Sequence, residues 1–212
     1  ADTAGGAFLT VQKAFNVLAT LNKNGYTVNI YIRAGTYAEN ITAYTGVGNG
    51  TVNVYGTLTE LESVTSATVA AGSGATRGTV TKTGQFTGNV YANLLVYFVT
   101  DAGYRVINSH TDDVLTVIGV CPSSTTQNVK IYDWGTIISN VTIPSYASIN
   151  FYDIKFSGST HSVLSKFSSV LFGRCYITSS STTGTLINQG GSLSCSFCLL
   201  GNSSSGGTML VI

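Results

Sequence analysis

Charged side chains make up only 9% of the 212 residues, against roughly 25% in ordinary globular proteins. Ten Lys and Arg nearly balance nine Asp and Glu, for a net charge of +1. That leaves no basic field for nucleic acid or an anionic membrane surface. Proline occurs twice, so little interrupts strand pairing. No apolar run approaches the roughly 20 residues of a membrane span, and no signal peptide is recognisable, so membrane insertion is not expected. Disorder is excluded from the other side, because 43% of the chain is hydrophobic. The surface is therefore expected to be polar but mostly uncharged, built from Ser, Thr, Asn and the 12 Tyr.

What is present is a repeat. Residues 149–156 read Ile-Asn-Phe-Tyr-Asp-Ile-Lys-Phe, residues 170–177 Val-Leu-Phe-Gly-Arg-Cys-Tyr-Ile, and residues 193–200 Leu-Ser-Cys-Ser-Phe-Cys-Leu-Leu. The copies start 21 and then 23 positions apart. Places one, three, six and eight are apolar, as in two short strands, each with one buried face, joined by a bend. A weaker copy at 129–136 stands 20 positions before the first. A strand-rich repeat of this length signals a solenoid, in which stacked neighbours bury what one coil cannot. The offsets define three inward columns: Val129, Ile149, Val170, Leu193; Ile131, Phe151, Phe172, Cys195; and Trp134, Ile154, Cys175, Cys198. Ser, Thr and Gly runs at 157–160 and 179–184 read as corner turns.

In chain order, residues 1–26 read as a polar leading segment and a helix. Val11, Phe15, Leu18 and Leu21, with Ala14, share one face at helical spacing. Thr10 suits an N-cap, and Asn24-Gly25 suits a stop. The helix is expected to cover the open end of the first coil. Val28, Ile30 and Ile32 alternate as a first strand, Ala34-Gly35-Thr36 turns the chain, and Tyr37–Thr42 returns. Val52–Gly56 follows, its start 22 positions after Ile30. Residues 57–89 are less regular, with a loop at Gly72-Ser73-Gly74. Further coils are expected at Val90–Phe98 and Val114–Val120. The expected division is 1–26 for the leading segment and helix and 27–212 for the coils. Ala1 in place of an initiator Met, and a strand that starts after Gly206-Gly207 and stops at Ile212, read as cuts in a longer polypeptide.

Asp2-Thr3-Ala4-Gly5-Gly6-Ala7-Phe8-Leu9-Thr10-Val11-Gln12-Lys13-Ala14, then Tyr26–Ile30 and Ile32–Tyr37, resembles the start of pectate-lyase-like right-handed parallel β-helices, in particular those of tailed-phage tail fibres and tailspikes. The match spans roughly the first 55 residues, and the repeats carry the architecture onward. With the repeat, the resemblance implies an all-β, right-handed, single-stranded parallel β-helix of about 20–23 residues per coil, with an N-terminal capping helix. It also implies a homotrimer, other virion proteins as partners, and a place in the virion. Fold likeness alone does not assign an activity.

Gly35-Thr36-Tyr37-Ala38-Glu39 also resembles the first signature of pectin methylesterases, but the Gln-Asp and Asp-Phe segments that hold their acids have no counterpart here. His110 with Asp112 and Asp113 is the densest ionisable cluster, suited to acid–base work or a cation. Polygalacturonase-like β-helices carry an Asp-Asp pair, yet their companion motifs are missing, and a solvated turn explains the cluster as well. Asp133 and Asp153 occupy one place in consecutive copies, and Arg174 the same place in the next. Stacked carboxylates could suit a retaining glycosidase; a surface charge ladder is the bland reading. Cys175, Cys195 and Cys198 face inward by period, as small hydrophobes, and with Cys121 they do not make a zinc ligand set. No metal and no cofactor is therefore expected. Asn40, Asn49 and Asn140 begin glycosylation sequons. Tyr31, Tyr132 and Tyr152 fall at outward places and are the candidate glycan-binding residues.

Three functions compete. The leading one is a structural and adhesive module of a phage-like tail fibre or tailspike that supports or makes contact with cell-surface polysaccharide. The second is a polysaccharide lyase or glycosidase on the same β-helix, which would need acids that nine carboxylates in 212 residues make hard to assemble. The third is a purely architectural capsid or base-plate component.

Overall fold

The computed structural model describes residues 7–73, 76–88, 90–123, 125–159, 161–180, 185–202 and 210–211. The opening at 2–6, Gly74, the turn at 181–184 and the run at 206–209 lie outside these residues. The elements are α1 (Val11–Ala19), β1 (Val28–Tyr31), β2 (Gly35–Thr42) and β3 (Val52–Tyr55), then β4 (Leu58–Ala70), β5 (Thr79–Thr81), β6 (Leu95–Phe98), β7 (Gly103–His110), β8 (Val114–Val117) and β9 (Thr126–Trp134). They continue with β10 (Thr136–Ile143), β11 (Ser148–Tyr152), β12 (Ile154–Gly158), β13 (Val163–Gly173), β14 (Tyr176–Ser179), β15 (Leu186–Ser196), β16 (Leu199–Asn202) and β17 (Leu210–Val211). They form two compact units, one of residues 1–58 and 134–212 and one of residues 59–133.

The first unit is one eleven-stranded parallel sheet folded into three ladders. Val28, Val52, Ile149, Val170 and Leu193 stand in register along the first. Tyr37, Ile138, Phe156, Ile177 and Leu200 follow one another along the second. Ile41, Val141, Val163 and Leu186 mark the third. The long strands β2, β10, β13 and β15 run round corners and serve two ladders each. Their inward residues make one core, in which Phe151, Phe156, Phe172 and Ile154 are wholly or almost wholly buried. The bend inferred between the two halves of each copy is a single residue in the left-handed region: Asp153 (φ 60°), Arg174 (φ 51°) and Phe197 (φ 54°).

The helix starts where its cap is. Thr10 Oγ1 accepts from Lys13 N at 3.1 Å, the bond that favours Thr at this place. The helix ends at Ala19, before the expected Leu21, because Thr20 turns its hydroxyl back onto the Val17 carbonyl at 2.7 Å. Leu21 is left 44% exposed. Val11, Phe15 and Leu18 are buried in the core of the coils. Two side chains fix the helix there. Glu39 accepts from Val11 N at 3.1 Å and Gln12 N at 3.0 Å, placing a carboxylate at the positive helix end. Gln12 in turn pairs both ways with the backbone of Thr42.

The second unit is a closed antiparallel barrel, in the order β4-β5-β8-β7-β6-β9. This corrects three expectations. The strands at 90–98 and 114–120 are not coils: Tyr97 pairs antiparallel with Tyr104, and Leu115 with Val80 and His110. The copy at 129–136 is not a coil either, since Val129 and Ile131 face Phe98 and Val96 across an antiparallel pair. Val52 and Val54 hold the column places expected of Val129 and Ile131, and Thr136 the place expected of Trp134. Alternation reports a half-buried strand but not the direction of its partner, so barrel strands pass for coils. The offset from Ile30 to Val52 is also revised, because Val52 pairs with Val28, 24 positions earlier.

The thiols divide. Cys121 and Cys175 are buried, Cys198 is partly so, and Cys195 is exposed rather than buried. Around Cys195, β15 has β13 on one side only among the described strands. Burial pushes the Cys121 thiol up to about 11, and a hydrogen bond with Cys175 leads the causes that push Cys198 up to about 12.

Candidate aromatic and amide faces

On the outward side of the first ladder, alternate residues repeat an amide and an aromatic ring. Asn29, Asn53 and Asn150 stand in register, and so do Tyr31, Tyr55 and Tyr152. Asn53 Nδ2 donates to Asn29 Oδ1 at 3.0 Å, and Asn150 Nδ2 donates to Asn53 Oδ1 at 2.9 Å. The rings stack, Tyr31 on Tyr55 at 5.2 Å and Tyr55 on Tyr152 at 5.1 Å, with planes 16° and 14° apart. The next residue in the column is Gly173. A Cβ there would lie 2.6 Å from the Tyr152 ring, so glycine makes room for the last ring of the ladder. Tyr31, at the other end, is 75% exposed. It borders a largely aliphatic groove of about 420 Å³ between α1 and β1, with Asn29 and Arg33 at its polar part.

The barrel presents a second aromatic face. Tyr97 and Tyr104 lie directly opposite each other on β6 and β7, with ring centroids 4.7 Å apart. Tyr104 and Tyr132 lie 6.3 Å apart. Lys130, opposite Tyr97, puts its Nζ 2.7 Å from Glu60 Oε2, and Tyr132 donates to the same oxygen at 3.3 Å. The Lys130 hydrogen bond holds the Glu60 carboxyl below its ordinary range, and Glu60 raises Lys130 in return. Desolvation, followed by the Glu60 charge, raises the Tyr132 phenol.

The candidate acids divide by unit, Asp153 in the coils and Asp112, Asp113 and Asp133 in the barrel. Asp153 holds Arg174 in a two-toothed pair, Nε to Oδ1 at 2.6 Å and Nη2 to Oδ2 at 2.7 Å. The backbone beside it is tied to the neighbouring coils, with Gly56 N donating to the Tyr152 carbonyl at 2.8 Å and Asp153 N to the Gly173 carbonyl at 3.1 Å, while Asp133 belongs to the barrel unit. Asp112 and Asp113 form the turn between β7 and β8. Asp113 Oδ1 accepts from Gly84 N at 2.6 Å, and both carbonyls accept from the backbone of 82–86. His110 meets the Tyr91 ring edge-on at 5.2 Å. Tyr31 and Tyr152 are joined through Tyr55, while Tyr132 sits in the other unit. Among the described residues, no three His, Cys, Asp or Glu side chains converge as metal ligands, and no helix is long and apolar enough to cross a membrane.

No known protein family matches the sequence. No curated protein matches it. Solved structures do. One is the tailspike protein gp49 of Pseudomonas phage LKA1, at 14% identity and a TM-score of 0.35, matched over 94% of this chain and 42% of that one. Another is the tailspike gp61 of Pseudomonas phage phi297, at 13% identity and a TM-score of 0.30, over 86% of this chain and 38% of that one. A third is the Gp54 tailspike of Acinetobacter baumannii bacteriophage AP22, solved in complex with A. baumannii capsular saccharide, at 10% identity and a TM-score of 0.26, over 88% of this chain and 49% of that one. The chain spans less than half the length of each.

Sequence reasoning missed Tyr55, the three ladder asparagines, and Tyr97, Tyr104, Glu60 and Lys130. A signal for the ladder was available: apolar-Asn-apolar-Tyr occurs at 28–31, 52–55 and 149–152. Nothing comparable marks the barrel face, whose members come together only through antiparallel pairing.

Proposed function

We propose that the chain is a structural and adhesive module of a phage-like tail fibre or tailspike, whose coils form a right-handed single-stranded parallel β-helix and contact cell-surface polysaccharide. The observation that carries this reading is the repeated outward pair of ladders, amide beside aromatic, on successive coils. Asn53 spends one N–H and one lone pair along its ladder and keeps one of each for solvent. The stacked tyrosines hold their rotamers before any ligand arrives, which lowers the ordering cost of binding. A polysaccharide repeats hydroxyls and apolar ring faces along its length, and a face that repeats amides and phenols matches that pattern. The companion motifs that accompany the catalytic acids of pectin methylesterase and polygalacturonase β-helices have no counterpart in the sequence, which favours adhesion over hydrolysis. The right hand follows the general rule for parallel crossovers. Stacking of low-charge faces against copies of the chain favours closed symmetry, here a homotrimer within the virion beside other virion proteins.

The test is binding of the purified chain to a panel of immobilised bacterial capsular and O-chain polysaccharides. At least one should bind, and Asn53→Ala should weaken it by about tenfold. A panel with no binder removes the reading. Light scattering reports the assembly separately: a mass of about three 22.1-kDa chains is expected, and a stable monomer at micromolar concentration removes the trimer alone.

A further inference from the structure

We infer that the barrel of residues 59–133 carries a saccharide site of its own on its outer wall, formed by Tyr97, Tyr104 and Tyr132 with Glu60 and Lys130, and suited to an uncharged pyranose chain. This rests on the glycan-contacting reading and locates a site within it. The residues form a row across four neighbouring strands. Tyr104 on β7 faces Tyr97 on β6, Tyr97 faces Lys130 on β9, and Lys130 reaches Glu60 on β4. Their backbone neighbours Val96, Phe98, Val129 and Ile131 point into the barrel and are fully buried, so the row is fixed to a packed wall. The three rings are half-buried and mutually tilted, by 38° between Tyr97 and Tyr104 and 53° between Tyr104 and Tyr132. The Tyr104 and Tyr132 rings, 6.3 Å apart, therefore do not stack face to face as the rings of the coil ladder do.

The polar end of the row has unspent capacity. The hydrogen bonds that Lys130 and Tyr132 donate to Glu60 both end on Oε2, and Oε1 has no partner among the described residues. Lys130 has three N–H donors, one of which goes to Glu60. A carboxylate that stays ionised accepts hydroxyl protons strongly, and the ammonium beside it donates to a ring or hydroxyl oxygen. A pyranose presents an apolar C–H face on one side and hydroxyls at its rim, so it can lie on a tyrosine and reach both groups together. Tyrosine suits such a surface because its body is apolar and its tip polar. The ion pair neutralises itself, and Arg105, the nearest other cation in the sequence of β7, spends its guanidinium on the Val120 and Tyr104 carbonyls. Nothing in the row selects a charged sugar.

The experiment is saturation-transfer NMR on the full chain with maltohexaose, cellohexaose, laminarihexaose and mannohexaose, beside a proline-rich peptide. At least one hexasaccharide should give a signal. Glu60→Gln, an exposed change that leaves the wall intact, and Tyr97→Ala should each weaken it by about tenfold. Lys166→Ala, in the coil unit, should leave it unchanged. Circular dichroism of each variant confirms the fold. If capsular polysaccharides bind the chain but no neutral hexasaccharide does, the barrel site falls and the glycan-contacting reading stands. The barrel site falls equally if Glu60→Gln and Tyr97→Ala keep full binding, or if only the peptide occupies the row. If no saccharide of either kind binds, both fall.

Discussion

Phe172 packs face to face with Phe151 at 5.6 Å and edge-on with Phe156 at 5.8 Å, and is fully buried. Neighbouring coils cannot collapse onto a missing ring without losing strand register. Phe172→Ala should therefore cost about 3–5 kcal/mol in urea unfolding, and a loss below about 1 kcal/mol would contradict its place in the core. Two glycines make a sharper comparison. A Cβ on Gly56 would meet the Asp153 carbonyl oxygen at 2.4 Å, whereas one on Gly173 would meet the Tyr152 ring at 2.6 Å. A ring can swing and a paired backbone cannot. Gly56→Ala should cost about 1–3 kcal/mol, and Gly173→Ala less; the reverse order of melting temperatures would contradict the account. Several residue roles were legible beforehand: Thr10 as a cap, and Ile149, Val170, Phe151, Phe172, Ile154 and Cys175 as inward. Glu39 and Gln12 were visible only as parts of a motif. Their reason, tying the helix to β2, is a contact across 27 to 30 residues, and spacing does not report it.

The strands themselves were readable from alternation, but the partner of each strand was not. Val96 and Val117 stand 21 positions apart, a coil's length by coincidence, yet both belong to the antiparallel barrel. The tetrapeptides at 28–31, 52–55 and 149–152 repeat more faithfully, and they are true neighbours. Val52 and Ile149 are 97 positions apart, of which residues 59–133 take 75 and leave 22. The other coils measure 24, 21 and 23 between their first-ladder positions. The barrel is thus an insertion into one otherwise regular coil. Within the coil unit, Thr57 and Thr136 close its base. Thr57 N donates to Thr136 Oγ1 at 2.9 Å, and Thr136 N donates to the Thr57 carbonyl at 3.1 Å. Insertions succeed where the flanking ends are close and the host is complete without them. Joining Leu58 to Trp134 through a short glycine-rich turn should leave a cooperatively unfolding, strand-rich protein by circular dichroism. A product with no cooperative transition would show that the coils depend on the barrel.

At the scale of the molecule, the scarcity of charge and the flat repeating faces belong together. Stacked coils need side chains that tolerate an identical neighbour roughly every 4.8 Å. Asn, Tyr, Ser and Thr do so by pairing along the ladder, where like charges would repel. Asp153 and Arg174 satisfy the same rule by alternating sign. Such surfaces match a ligand that itself repeats, and the role proposed for them is attachment. The most direct measurement is the length of a bound polysaccharide, followed by size-exclusion chromatography and reducing-end assay during prolonged incubation with the chain. Binding with unchanged length and no new reducing ends is the predicted result. Progressive shortening that is abolished by Asp133→Asn or Asp153→Asn would contradict it and make the chain an enzyme.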